Sequence, residues 1–147
     1  MKPTVITIVA AVVALAASPA LAESWHVVSR SSATVFMLDV DSITEASGAR
    51  TAVLARVPAS GPVDDLSYSA GEITIRCSAN QSKPGVEVLY GPDGAEQERI
   101  DDGYDFDAIA RNSLDSYIKD MLCDDQRGTL VYPSVRAFIE AGRPRAD

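Results

Sequence analysis

Residues 68–78 have the sequence YSAGEITIRCS, and the alternation within this stretch is the clearest indication of the fold. Ile73, Ile75 and Cys77 occupy every second position, and polar residues lie between them. Successive side chains of a β-strand point to opposite faces, so this is the pattern of a strand with one buried and one solvated face. The sequence therefore places Cys77 on the buried face of a sheet.

Five further stretches have the pattern of short strands separated by turn-forming residues. Residues 49–57 alternate only partly, which predicts a strand that is buried on much of both faces. We expect residues 39–43 (DVDSI) to end the second strand in a turn or single helical turn, and Pro84-Gly85 to interrupt the chain. Because the strands lie close in sequence, they predict a roughly six-stranded antiparallel meander. The predicted strands are residues 25–28, 33–40, 49–57, 68–78, 86–90 and 96–100.

A helical pattern follows after Asn112. The apolar stripe of this helix consists of Leu114, Tyr117, Ile118, Met121 and Leu122. Ser113 or Asn112 is expected to cap the N-terminus, where Asp115 suits the positive end of the helix dipole. The stripe runs directly into Cys123. Because this stripe gives the helix one apolar face, the amphipathic helix is expected to lie on the sheet. The predicted fold class is therefore α+β.

Residues 1–22 have the three parts of a cleavable signal peptide. Lys2 gives a basic start, an apolar run covers residues 5–17, and residues 18–22 (SPALA) supply a helix breaker and a small-x-small cleavage site. An uncleaved membrane anchor is the weaker alternative, because the run would span only roughly 20 Å as a helix. We expect an exported protein, periplasmic or at the cell surface, that begins at Glu23 and carries no lipid anchor.

The chain that remains is strongly acidic. Removal of Lys2 with the signal peptide leaves 12 basic residues against 21 acidic ones, a formal net charge of −9. Such a charge repels nucleic acid and anionic lipid head groups. We therefore expect no nucleic-acid partner, and no membrane span in this part of the chain. Its length predicts one domain, residues 23–124, followed by a C-terminal extension, residues 125–147. A short helix is predicted within this extension, over residues 134–141.

Cys77 and Cys123 are the two cysteines of the chain. In an oxidising compartment such a pair usually forms a disulfide, which we expect to tether the helix to the sheet. A redox dithiol, a zinc site and a Cys–His nucleophile pair are weaker alternatives, because the cysteines lie far apart and His26 is the single histidine.

The candidate functional residues form no convincing catalytic set, and the common catalytic and nucleotide-binding fingerprints are missing from the sequence. We expect His26 to be a polar tip on an edge strand rather than a base or pH switch, and Trp25 to be a core residue rather than a ligand anchor. Residues 101–107 (DDGYDFD) offer alternate carboxylates for Ca²⁺ but lack the spacing of an EF-hand loop, so solvated loop acids are the simpler interpretation. No cofactor or metal ligand is predicted.

Several short motifs occur in a characteristic order along the chain. The motif residues are Trp25, Asp39, Asp41, Ser42, Ile43, Arg76, Tyr90, Asp93, Gly94 and Ser113, together with the two cysteines. On these residues the chain resembles the surface-adhesin protein E family of small exported bacterial proteins, over roughly residues 24–124.

The resemblance implies an antiparallel sheet with a disulfide-tethered C-terminal helix and a non-enzymatic role. It also implies an adhesin that binds host matrix or serum proteins such as vitronectin, laminin and plasminogen. Our first hypothesis is therefore an exported interaction module whose partner is such a protein or an envelope component. The alternatives are a periplasmic small-ligand or metal-binding protein, based on residues 101–107, and an enzyme that uses Asp residues and His26.

Overall fold

A computed structural model describes residues 23–145. The predicted signal peptide, residues 1–22, lies outside the described residues. The chain forms an antiparallel sheet with two short helices. In chain order the elements are β1 (Trp25–Arg30), β2 (Thr34–Ala46), β3 (Ala49–Pro58), β4 (Tyr68–Arg76), β5 (Gln81–Tyr90), β6 (Glu96–Ile100), β7 (Asp107–Ala108), α1 (Leu114–Cys123), β8 (Val131–Tyr132) and α2 (Val135–Glu140).

The predicted α+β architecture is confirmed. Strands β1 to β6 follow one another as an antiparallel meander, and the order across the sheet is β6-β5-β4-β3-β2-β1-β8, with β7 paired to β5. The described sheet has eight strands rather than six because β7 and β8 add two residues each. Strands this short carry no periodicity that a sequence pattern would reveal.

The expected turn at residues 39–43 is wrong, since β2 continues to Ala46 with a register shift in this region. The Ser42 hydroxyl donates to the Asp39 carbonyl (2.7 Å) and accepts from the Val53 N–H (2.9 Å). The prediction that Ser42 bonds to the local backbone is therefore confirmed. The bond stabilises an irregularity within a paired strand rather than a strand end.

The expected interruption at Pro84-Gly85 is also wrong, because both residues lie within β5. There the register shifts, and Gly85 and Val86 together face Glu72 of the neighbouring strand. A Cβ atom on Gly85 would lie 3.0 Å from the Glu72 Cβ, so glycine permits the close approach of the two strands. A bulge accommodates the proline without breaking the strand.

One face of the sheet, which we call the α1 face, is covered by α1. Ile118, Met121 and Leu122 pack with sheet residues such as Leu54 and Ile75. Ser113 caps the helix as expected, its side chain accepting from the Ser116 N–H. The predicted apolar stripe differs at one position, because Tyr117 is 45% exposed at the margin of the buried face.

The opposite face, the α2 face, is covered in part by α2. Val135, Phe138 and Ile139 of this helix are buried in a cluster with Trp25 and Met37. The predicted position of Trp25 in the core is therefore confirmed, as is a short helix near residues 134–141. The sequence divides residues 125–147 from the domain as an extension, yet in the structure this segment supplies part of the core.

The C-terminal segment also closes one edge of the sheet. β8 pairs with the start of β1, and His26 faces Val131 in the register. The expectation of an edge-strand tip is therefore wrong, and His26 is only 7% exposed, with Nδ1 3.1 Å from the Gly128 carbonyl oxygen. Near the end of the segment, buried Arg143 donates to the carbonyls of Gly61, Pro62 and Asp65, which fixes the tail to the loop after β3.

The predicted disulfide is confirmed. The Sγ atoms of Cys77 and Cys123 are 2.03 Å apart, with a Cα–Cα distance of 5.9 Å. The bond joins the residue after β4 to the last residue of α1, and both cysteines pack against the core of the α1 face. The helix is therefore linked covalently to the sheet that it covers.

Removal of the disulfide should destabilise the domain strongly. A double variant, Cys77→Ser with Cys123→Ser, is expected to lose on the order of 4 kcal/mol of unfolding free energy, because the unfolded chain is no longer constrained by a long loop. Thermal melts with and without reducing agent measure the effect. Reductant should lower the Tm of the wild type and leave the double variant unchanged. Equal melting of oxidised and reduced wild type would contradict the prediction.

Candidate binding groove

Four adjacent strands place Trp25, Asp39, Val53 and Glu72 side by side on the α2 face. Trp25 pairs with Asp39, Asp39 with Val53, and Val53 with Glu72. Neighbouring strands are about 4.8 Å apart, so the backbone positions of Asp39 and Glu72 are separated by roughly 10 Å. Two carboxylates thus flank one apolar residue in a single row across the sheet.

This row lies in a groove that α2 leaves open. Two adjoining cavities of about 230 Å³ and about 380 Å³ share Val53, Ala70 and Tyr90, and together they form what we call the α2-face groove. Arg136 of α2 lies at one end of the groove, and Arg99 of β6 lies at the other. The floor consists of small apolar side chains, those of Val53 and Ala70, which permit a ligand to approach the sheet closely.

Aromatic residues form one wall of the groove. Tyr68 and Tyr90 stack with their ring centroids 4.5 Å apart and an interplanar angle of 15°. Trp25 lies beside them, and its indole Nε1 donates to the Glu23 carboxylate at 2.8 Å. Such a wall combines apolar contact area with little conformational freedom to lose on binding.

The two arginines at the rim are already paired. Arg99 donates to both carboxylate oxygens of Glu96, at 2.5 and 2.9 Å, and Arg136 donates to Glu140 at 2.8 Å. Among residues 23–145, by contrast, no hydrogen bond or salt bridge engages the exposed Glu72 carboxylate. The charge that the groove offers to a ligand is therefore negative.

Asp39 adds to this negative charge from the other side of Val53. Its Oδ1 accepts from the backbone N–H groups of Ser24 (3.0 Å) and Asp41 (3.1 Å), which hold the carboxylate in one orientation. Asp39 is 7% exposed and lines the groove. Within the described chain its second carboxylate oxygen takes part in no hydrogen bond.

The structure brings three of the family-motif residues, Trp25, Asp39 and Tyr90, together in the groove. Others have structural positions in the fold: Asp93 accepts from the Ala95 N–H (3.0 Å), and Gly94 has a positive φ of 77° in the same tight turn. Asp41, Ser42 and Ile43 belong to the irregular part of β2, and Ser113 caps α1.

The acidic segment, residues 101–107, is attached to the sheet by Phe106. The Arg76 guanidinium lies 3.6 Å above the centre of the Phe106 ring, and the Lys83 ammonium lies 5.1 Å from it. The carboxylates of Asp101 and Asp102 accept hydrogen bonds from within the segment itself. In the part of the chain that the structure describes, no three His, Cys, Asp or Glu side chains converge as a metal-ligand group.

Glu72 is one of the site residues that sequence reasoning missed. The alternation around Ile73 already placed it on the solvated face of its strand, but only the pairing with Val53 places it in one row with Asp39. Val53 and Tyr68 were missed for the same reason, because their contribution to the groove depends on strand register.

Comparisons with protein-family models, with curated proteins and with solved structures find no match to this chain. The fold and the groove define it as a disulfide-tethered α+β protein with an open groove on one face of its sheet. No helix within residues 23–145 is long and apolar enough to cross a membrane.

The wall of the groove should make the stability pH-dependent in alkali. Burial, with further contributions from the Tyr90 phenol and the Glu23 carboxylate, raises the pKa of Tyr68 to about 12. Between pH about 10 and about 12 the unfolded chain releases a proton that the folded chain retains, so stability falls as pH rises through this window. Below pH about 10 Tyr68 is protonated in both states and contributes no slope.

Melting curves of the wild type and a Tyr68→Phe variant between pH 9 and pH 12 measure this contribution, and the variant should lose less stability over the upper part of the range. Equal pH dependence of the two proteins would show that Tyr68 does not titrate as stated.

Proposed function

We propose that this protein is an exported, non-catalytic interaction module of the surface-adhesin protein E type, which binds a protein partner through the α2-face groove. The observation that carries the proposal is the groove itself, with an apolar floor at Val53 and Ala70, an aromatic wall and a charged rim. Protein-binding surfaces typically combine an apolar centre with aromatic residues and a polar rim. The partner is a host matrix or serum protein, or a component of the cell envelope.

The export part of the proposal is supported by the disulfide. A bond between Cys77 and Cys123 persists in oxidising compartments outside the cytoplasm. The three-part pattern of residues 1–22 independently favours export. Protease treatment of intact cells separates the two classes of partner: cleavage favours a host protein, and protection until the outer membrane is opened favours an envelope component.

The groove suits a polypeptide segment because it continues across several strands rather than forming one closed cavity. Its two halves meet at Val53, Ala70 and Tyr90, and charged residues lie at both ends. A segment laid along the groove would place apolar side chains on the floor and polar ones at the rim.

A periplasmic small-ligand protein is the second candidate. The larger cavity, of about 380 Å³, falls within the range of small-molecule sites and favours this candidate. The metal-binding version rests on residues 101–107, and a calcium titration followed by calorimetry with melting curves tests it. Heat of binding and a raised Tm would support it, whereas a flat titration with unchanged Tm would remove it.

Blocking the groove should abolish partner binding. In a Val86→Trp variant the large indole would fill the Glu72 end of the groove, because Val86 lines this cavity. We expect surface plasmon resonance to show loss of binding to whichever of vitronectin, laminin, plasminogen or envelope extract the wild type binds.

The matched control is Leu89→Trp. Leu89 lies on the same strand, and since its neighbour Val88 lines the groove, Leu89 points to the opposite face. The Leu89→Trp variant should retain binding, and circular dichroism should confirm that both variants are folded. Equal loss in the two variants would place the binding surface elsewhere, and absence of binding by the wild type would favour the small-ligand candidate.

A further inference from the structure

We infer that the α2-face groove takes an extended polypeptide segment that carries lysine or arginine side chains. This inference rests on the proposed function, because it names the chemistry of the segment that the groove would bind. Three features of the structure lead to it: the pairing of the rim arginines, the position of the two carboxylates, and the apolar floor between them.

The pairing of the arginines determines the sign of the charge that a ligand meets. Arg99 and Arg136 are each engaged by a glutamate, while the Glu72 carboxylate has no partner within residues 23–145. Further along the same face, Arg76 and Lys83 lie against Phe106 rather than in the groove. A cationic side chain therefore gains an unpaired carboxylate, whereas an anionic one would have to displace Glu96 or Glu140.

The spacing of the carboxylates suits two basic side chains of one extended segment. Asp39 and Glu72 are two strands apart, roughly 10 Å, a distance between the roughly 7 Å from residue i to i+2 and the roughly 13 Å from i to i+4 in an extended chain, whose side chains share one face. The aliphatic stem of a lysine or arginine can lie on Val53 and Ala70 while its charged group reaches a carboxylate. The same groove would therefore use both the apolar and the charged part of the side chain.

The charge of the whole chain acts in the same direction. Residues 23–147 carry a formal net charge of −9, which accelerates the approach of a cationic segment and repels an anionic one. This long-range effect is not specific to the groove, so the test must separate it from the local effect of Glu72.

The test uses three fluorescein-labelled peptides of equal length in which valine alternates with lysine, serine or glutamate, and fluorescence anisotropy at physiological ionic strength. Glu72→Gln removes the groove carboxylate. Glu98→Gln is the matched control, because it removes the same charge from an exposed residue of β6. Since its neighbour Arg99 lines the groove, Glu98 points to the opposite face of the sheet. Both substitutions are at exposed positions, and melting curves should confirm intact folds.

We expect the lysine peptide to bind most tightly, with affinity reduced by roughly fivefold in Glu72→Gln and by less than roughly twofold in Glu98→Gln. Equal effects of the two substitutions would overturn the inference, because only the long-range field would then matter. If the serine or glutamate peptide binds as tightly as the lysine peptide and loses this binding in Val86→Trp, the charge preference is overturned, while the groove remains the binding surface. Failure of all three peptides to bind would overturn the inference together with polypeptide binding in the groove.

Discussion

Burial of one sheet on both of its faces is the constraint on which the rest of the structure depends. In β3, Leu54 faces α1 and Val57 faces the cluster of α2, so the strand has no solvated side over much of its length. Each face needs its own cover. On one face the disulfide holds α1 in place, and on the other the C-terminal segment passes around the edge of β1 and delivers α2.

The groove exists because the second cover is too small. α2 has six residues and is therefore about 9 Å long, whereas six strands at about 4.8 Å spacing extend over roughly 24 Å. The helix buries the Trp25 side of the α2 face and leaves the part over β4, β5 and β6 open. The bulge at Gly85 and Val86 lies in this open part, opposite Glu72 of the neighbouring strand.

Much of the fold follows from local patterns in the sequence. The alternation around Ile73 predicted β4, and the stripe that ends at Leu122 predicted α1. Two cysteines, together with the expectation of export, predicted the disulfide. The errors arose where pairing with a neighbouring strand overrides a local signal, as at residues 39–43 and at Pro84-Gly85. The part played by the C-terminal segment was missed because Val135, Phe138 and Ile139 span barely more than one helical turn, too short a pattern to indicate burial.

The groove was predictable only in part. The family resemblance singled out Trp25, Asp39 and Tyr90, and the sequence alone placed Trp25 in the core. Their assembly with Glu72 depends on the registers of β1 through β5, which no local pattern specifies. A binding surface built from single residues on successive strands leaves no contiguous motif, in contrast to a catalytic loop.

An NMR titration of the ¹⁵N-labelled protein with the lysine–valine peptide tests most directly whether the α2-face groove is the binding site. We expect the largest amide shifts at Asp39, Val53, Glu72 and Val86, with little change over α1. Shifts centred on the α1 face, or spread evenly over the acidic surface, would contradict the assignment of the groove as the binding site.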